Sequence, residues 1–150
     1  MARGSISHIA LTVSDLERST AFYNKVFEFI GFKSVEVPES TQNAMKTQLK
    51  VWAGPGYSIS IRPSKGEFAR RVHDRTAPGF NHLAFTAEDK SEVDKLYDFL
   101  KKTGATILDA PAEYPYSPGY FAVYFADPDG LKFEFAYAPR YDRFRTEPSE

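Results

Sequence analysis

The stretch ADPDGLKFEFAY, residues 126–137, decides how the chain is read. Asp127, Pro128, Asp129 and Gly130 form a turn signal: proline fixes φ, aspartate bonds its own backbone, and glycine accepts φ > 0. Residues 131–137 then alternate as a strand. Leu131, Phe133, Phe135 and Tyr137 share one face, and Lys132, Glu134 and Ala136 the other. The aromatic face belongs in a core. Glu134 either points to solvent, as most lone acids do, or looks into a cavity where it does chemistry.

Upstream of this strand the chain reads as β-α-β-β-β twice over. In the first half, strands are predicted over residues 6–13, 32–37, 47–53 and 57–62. A helix capped by Ser14 and Glu17 carries Leu16, Thr20, Tyr23, Phe27 and Ile30 and stops at Gly31. Residues 39–44 read as polar loop. Residues 63–79 lack periodicity and read as a charged linker holding Arg70, Arg71, His73 and Arg75; His73 reads as a solvated surface residue. In the second half, strands are predicted over residues 80–87, 105–108, 120–126 and 131–137. Their helix is capped by Ser91 with Asp94 and stopped by Gly104. Residues 109–119, with three prolines, read as loop, and 138–150 as a polar tail.

The two halves superpose at one offset, 74 (82 − 8), without a gap. SHIALTV at 7–13 falls on NHLAFTA at 81–87, and WAGPGYSISI at 52–61 on ADPDGLKFEF at 126–135. His8 maps onto His82, Ser60 onto Glu134, and Lys50 onto Tyr124. Helices covering the apolar faces leave His8, His82, Ser60 and Glu134 lining the concave side. Each histidine alone suits a half-buried structural role. Together with Glu134 they form a two-His-one-carboxylate set, which leaves open positions on a divalent metal. Tyr120 and Tyr124 share the concave face, as donors to a substrate oxyanion or as plain aromatic packing. Arg62, beside Ser60, is a candidate for holding an anionic group, or simply a strand-end cation.

Composition narrows the classes. One domain is expected for 150 residues, with a 42% apolar and 15% aromatic fraction suited to a sizeable core. A net charge of −1 argues against a nucleic-acid surface or a basic membrane patch. The absence of cysteine excludes disulfides, thiolate catalysis and Cys-based zinc sites. With no secretory signal or membrane-length apolar run in the sequence, a soluble cytoplasmic protein is expected.

The motifs SHIALTVSDLERSTAFY, GFNHLAFTAED and YFADPDGLKFEF resemble those of the vicinal oxygen chelate superfamily: the glyoxalases, bleomycin-resistance proteins and extradiol dioxygenases. The resemblance spans residues 5–137 of the chain. It implies an α+β fold of paired βαβββ modules, residues 5–62 and 80–137, forming an eight-stranded, partly open barrel around a metal site. It implies metal ligands at His8, His82 and Glu134 for Fe(II), Mn(II), Ni(II) or Zn(II), and a small-molecule substrate that chelates the metal through adjacent oxygens. It also implies a homodimer in which His8 of one chain meets His82 and Glu134 of the other. The triad suggests extradiol-dioxygenase-like chemistry. A glyoxalase I-like lyase and a drug-binding resistance protein without turnover are the alternatives. Glyoxalase I-like members carry Glu or Gln where Ser60 stands, and fosfomycin-resistance transferases carry a basic anion pocket where this chain has APAEYPYSPGY.

Overall fold

The computed structural model describes residues 3–141. Its Cα framework divides into two compact units, at Val72 and His73. Each holds a four-stranded mixed sheet, with two α-helices in the first and one in the second among the described residues, so the fold class is α+β.

The first unit contains β1 (His8–Val13), α1 (Leu16–Phe29), β2 (Lys33–Val35), α2 (Glu39–Met45), β3 (Lys50–Ala53) and β4 (Ser58–Pro63). The sheet order is β1-β4-β3-β2, with β1 parallel to β4 and the other pairs antiparallel. A parallel pair needs a long crossover, here α1 through β3. Helix α1 buries Tyr23, Val26 and Phe27 against Trp52, Ile59 and Ile61. The Phe27 and Trp52 rings meet edge-on at 5.3 Å, and Trp52 Nε1 donates to Asn24 Oδ1 at 3.0 Å. Gly54 makes room for the Phe32 ring, which packs on Phe27 at 5.3 Å: a Cβ at 54 would overlap that ring.

The second unit contains β5 (His82–Thr86), α3 (Lys90–Thr103), β6 (Thr106–Glu113), β7 (Phe121–Ala126) and β8 (Lys132–Tyr137), in the order β5-β8-β7-β6. Helix α3 buries Val93, Leu96 and Leu100. Phe133 stacks between Phe85 and Phe125 at 5.9 and 5.6 Å. The β7–β8 turn is the one expected. Asp127 Oδ1 accepts from the backbone N–H of Asp129 and Leu131 at 2.9 and 2.8 Å, and Gly130 sits at φ +83°.

Several local expectations are corrected. The helix caps are aspartates rather than serines: Asp15 accepts from Arg18 N, and Asp89 from Glu92 N, both at 2.9 Å. Ser14 instead accepts from the Arg18 guanidinium at 2.8 Å. The polar segment after Pro38 is a helix with no buried residue, pinned by Gln42, which donates to Val37 O and accepts from Leu49 N. Strand β6 runs through Pro111 to Glu113; as the sheet's edge, with two register shifts, it tolerates a residue without an N–H. The charged linker contains a 3-10 turn, Gly66–Arg70. His73 is tied down rather than solvated: its backbone N–H donates to Asp129 O at 2.9 Å and its Nε2 bonds Phe80 O at 2.7 Å.

The repeat also needs one gap. Ala10 pairs with Ser60 and Ala84 with Glu134, which keeps the offset of 74 (134 − 60). Val51 opposes Ser60 while Tyr124 opposes Glu134, an offset of 73 (124 − 51). The structural counterpart of Tyr124 is therefore Val51, and that of Phe125 is Trp52. The extra residue is absorbed in the turn: Gly54 N bonds Tyr57 O, whereas Asp127 N bonds Leu131 O, one residue further on. Lys50 lies instead on the helix side of its sheet, in a groove with Leu16, Thr20 and Asn24.

Candidate functional site

The parallel pairing of β5 with β8 sets His82 opposite Lys132 and Ala84 opposite Glu134. His82 and Glu134 are thus diagonal neighbours on the sheet face that α3 leaves uncovered. Their side chains meet, with His82 Nε2 3.2 Å from Glu134 Oε2. Glu134 is 2% exposed, while the His82 side chain is 37% exposed. The imidazole is therefore the open side of the pair.

Asn81 bears on which imidazole nitrogen is available. Its Nδ2 donates to Arg75 O at 3.2 Å, which turns Oδ1 toward His82 Nδ1 at 2.7 Å. In the tautomer that donates Nδ1–H to this oxygen, the Nε2 lone pair faces the carboxylate. Two acceptors facing each other need a proton or a cation between them. Cis ligands about 2.1 Å from one divalent ion lie about 3 Å apart, so the pair has ligating geometry. Among the described residues, no group of three His, Asp or Glu side chains gathers around one point.

The other oxygen of Glu134 is taken. Tyr120 Oη donates to Oε1 at 2.5 Å, in a buried contact. Tyr124, directly across the ladder from Glu134, has its ring 6.3 Å from that of His82. Burial pushes both phenols well above their ordinary range. The hydrogen bond to Glu134 adds to this for Tyr120, and the charge of Glu134 for Tyr124. Both therefore keep their protons at neutral pH. The 114–120 loop, closed by Tyr114 N to Tyr120 O at 3.0 Å, completes an aromatic wall. Tyr114 meets Tyr124 edge-on at 5.3 Å, and Tyr116 meets Tyr120 at 5.1 Å. Lys132 Nζ lies 3.9 Å from the Tyr124 ring centre, and burial, then the nearby Arg75 charge, lowers its pKa.

The remaining candidates belong to the first unit. His8 is exposed on β1, its Nδ1 3.4 Å from Ser7 Oγ. Ser60 is buried on β4. Arg62 is half-buried, and its Nε is buried without a hydrogen-bond partner. So the structure brings together His82, Glu134, Tyr120 and Tyr124, and places His8, Ser60 and Arg62 on the other sheet. Sequence reasoning missed Asn81, Lys132 and the Tyr114–Tyr116 wall. A signal for Asn81 was available: a polar residue precedes each repeated histidine, Ser7 before His8 and Asn81 before His82.

No helix among the described residues is long and apolar enough to cross a membrane. The family model for the glyoxalase/bleomycin resistance protein/dioxygenase superfamily matches residues 5–135. The chain is 33% identical to metallothiol transferase FosB of Lysinibacillus sphaericus, over 93% of this chain and 86% of the relative. It is 32% identical to the uncharacterised protein YqjT of Bacillus subtilis, over 85% and 94% of the two chains. A structure of a fosfomycin resistance protein FosX variant from Listeria monocytogenes, complexed with Mn(II) and (1S,2S)-dihydroxypropylphosphonic acid, has a TM-score of 0.71 at 25% identity. It covers 97% of this chain and 100% of its own. The family model over residues 5–135 and these similarities, with the sheet topology, converge on one assignment: the chain belongs to the glyoxalase/bleomycin resistance protein/dioxygenase superfamily.

Proposed function

We propose that the protein is a divalent-metal enzyme acting on a small substrate that binds the metal through adjacent oxygens. The 3.2 Å pairing of His82 Nε2 with Glu134 Oε2, with the imidazole tautomer held by Asn81, carries this reading. His8 is the third ligand, supplied by the first unit of the same chain or of a second copy. When bound, the metal supplies Lewis acidity and a template for the substrate oxygens. The tyrosine wall excludes water from one side. The protonated Tyr124 phenol donates a hydrogen bond to a substrate oxygen that gains negative charge. Ser60 and Arg62 are the proposed substrate contacts of the first unit.

The relatives named as metallothiol transferases and fosfomycin resistance proteins favour addition of a thiol or water to the substrate over cleavage by dioxygen. One observation favours the dioxygenase-like reading as the second choice: residues 105–131 contain no Lys or Arg, so this segment offers π faces, with Lys132 the cation beside the Tyr124 ring. Reconstitution with Fe(II), Mn(II), Ni(II) and Zn(II), followed by a screen of fosfomycin with thiol or water, 2-oxoaldehyde thiohemiacetals and catechols, distinguishes these. Turnover of fosfomycin alone supports addition, and turnover of catechols alone supports the dioxygenase. A protein that retains none of the four metals overturns the enzyme reading.

We also propose a homodimer with a shared site. In a refolded mixture of His8→Ala and Glu134→Ala chains, a shared site restores one intact metal site per heterodimer. A site within one chain restores none.

A further inference from the structure

We infer that Tyr120 is a positioning residue of this metal site, taking His82 and Glu134 as its ligands. Its phenol holds Glu134 Oε1 so that the carboxylate offers the metal a single oxygen, Oε2. The two carboxylate oxygens have different surroundings. Oε1 accepts the Tyr120 hydroxyl at 2.5 Å inside the protein. Oε2 faces His82 Nε2 at 3.2 Å, toward the half-exposed side of the pair. An ion bound beside Nε2 therefore meets Oε2 first.

Tyr120 is itself fixed. Tyr116 packs edge-on against one part of its ring, and Tyr141 lies 5.6 Å away at 66°. Its backbone is anchored at both polar groups, N–H to Ser117 O and C=O to Tyr114 N. The hydroxyl thus reaches Oε1 from a rigid ring, not from a mobile side chain.

Single-oxygen ligation has two consequences for a His–His–Glu site. It leaves one more coordination position for the substrate's adjacent oxygens. It also draws charge from the carboxylate into a hydrogen bond, which leaves the ion a stronger Lewis acid. Tyr120 touches a ligand and not the reacting atoms, so its effect is exerted through Glu134.

The test compares wild type, Tyr120→Phe and Glu134→Gln as full-length proteins, loaded with Co(II) or Mn(II). Metal affinity is measured by calorimetry, coordination by the Co(II) visible spectrum, and fold integrity by melting of the metal-free proteins. Tyr120→Phe retains the ring and its aromatic contacts. Because the carboxylate loses the donor that orients it, and this outweighs its gain in basicity, the variant is expected to weaken metal binding about tenfold, and to lower Co(II) absorptivity as Oε1 joins the coordination sphere. An affinity within twofold of wild type, or an unchanged Co(II) spectrum, overturns the proposal. A lowered metal-free melting temperature with wild-type affinity does the same, because it marks a packing role only. Wild type that binds neither ion overturns the metal-site reading itself. Wild type that binds, Glu134→Gln that does not, and Tyr120→Phe that behaves as wild type overturn the role of Tyr120 alone.

Discussion

The two units share one strand order and contrast most sharply at one sheet position. In the first, an exposed histidine, His8, lies on the strand beside Ser60. In the second, His82 lies beside Glu134, under a wall of tyrosines. The strand carrying the position is framed alike in both: alanine across the parallel ladder, and aromatic or branched residues packed beneath. What differs is the cover. The first unit's β2–β3 connection is a helix with no buried residue, and Val51 stands where Tyr124 stands in the second. A buried carboxylate is tolerated only where donors reach it. Phenols at 120 and 124 make the second sheet such a place. The duplicated scaffold thus supplies the geometry twice, and side chains on adjacent strands determine which copy can hold a charge.

The largest expected effect tests the equivalence of the two cores. Trp52→Ala and Phe125→Ala should each cost about 3–5 kcal/mol, because both are large buried rings at matched positions. Denaturant unfolding measures this. A cost below about 1 kcal/mol for either would break the one-gap superposition. Next is the functional asymmetry. Glu134→Gln should weaken Mn(II) affinity by more than about 100-fold, beyond the usual effect of an outer partner. Ser60→Ala should leave it within twofold. Calorimetry decides, and the metal-dependent rise in melting temperature should vanish for Glu134→Gln. Equal losses at both positions would mean that Ser60 also ligates.

A finer contrast lies in the residues before each histidine. Asn81→Ala, which removes a 2.7 Å bond to His82, should weaken metal binding about tenfold. Ser7→Ala, which removes a 3.4 Å contact to His8, should change it less than about threefold. The reverse ranking would shift the dominant outer partner to the first unit. The smallest effects concern the helix starts. Asp15→Ala and Asp89→Ala should each cost about 1 kcal/mol, while Ser14→Ala and Ser91→Ala should stay within about 0.5 kcal/mol. Thermal unfolding of the four variants checks the caps.

Much of the fold was legible because strands here are written in alternating aromatics. Residues 131–137 announce both their turn and their buried face. Helix α2 was not legible because it buries nothing, so no apolar period marks it. Strand β6 was hidden by Pro111, which reads as loop unless the segment is known to be a sheet edge. The caps were misplaced where two polar residues compete at one junction, Ser14 with Asp15 and Asp89 with Ser91. His82 and Glu134 could be placed on one face from alternation alone. The match of Tyr124 to Lys50 failed because an inserted turn residue leaves no trace in a gap-free superposition. Only cross-strand pairing reveals that Tyr124 faces Glu134. The tyrosine wall sits in a loop, and loops carry no period from which orientation can be read.

Strand β6 also has a bearing on how the protein behaves when crowded. It is the outer strand of its sheet, and an outer strand offers unpaired N–H and C=O groups to any passing chain. Here the ladder shifts register twice within eight residues, and Pro111 contributes no N–H. A foreign strand laid along this edge would find its hydrogen bonds out of step after two or three residues. Fibrous growth by strand addition should therefore not start at β6, and a β-forming peptide added to the folded protein should gain no protection of its amides there.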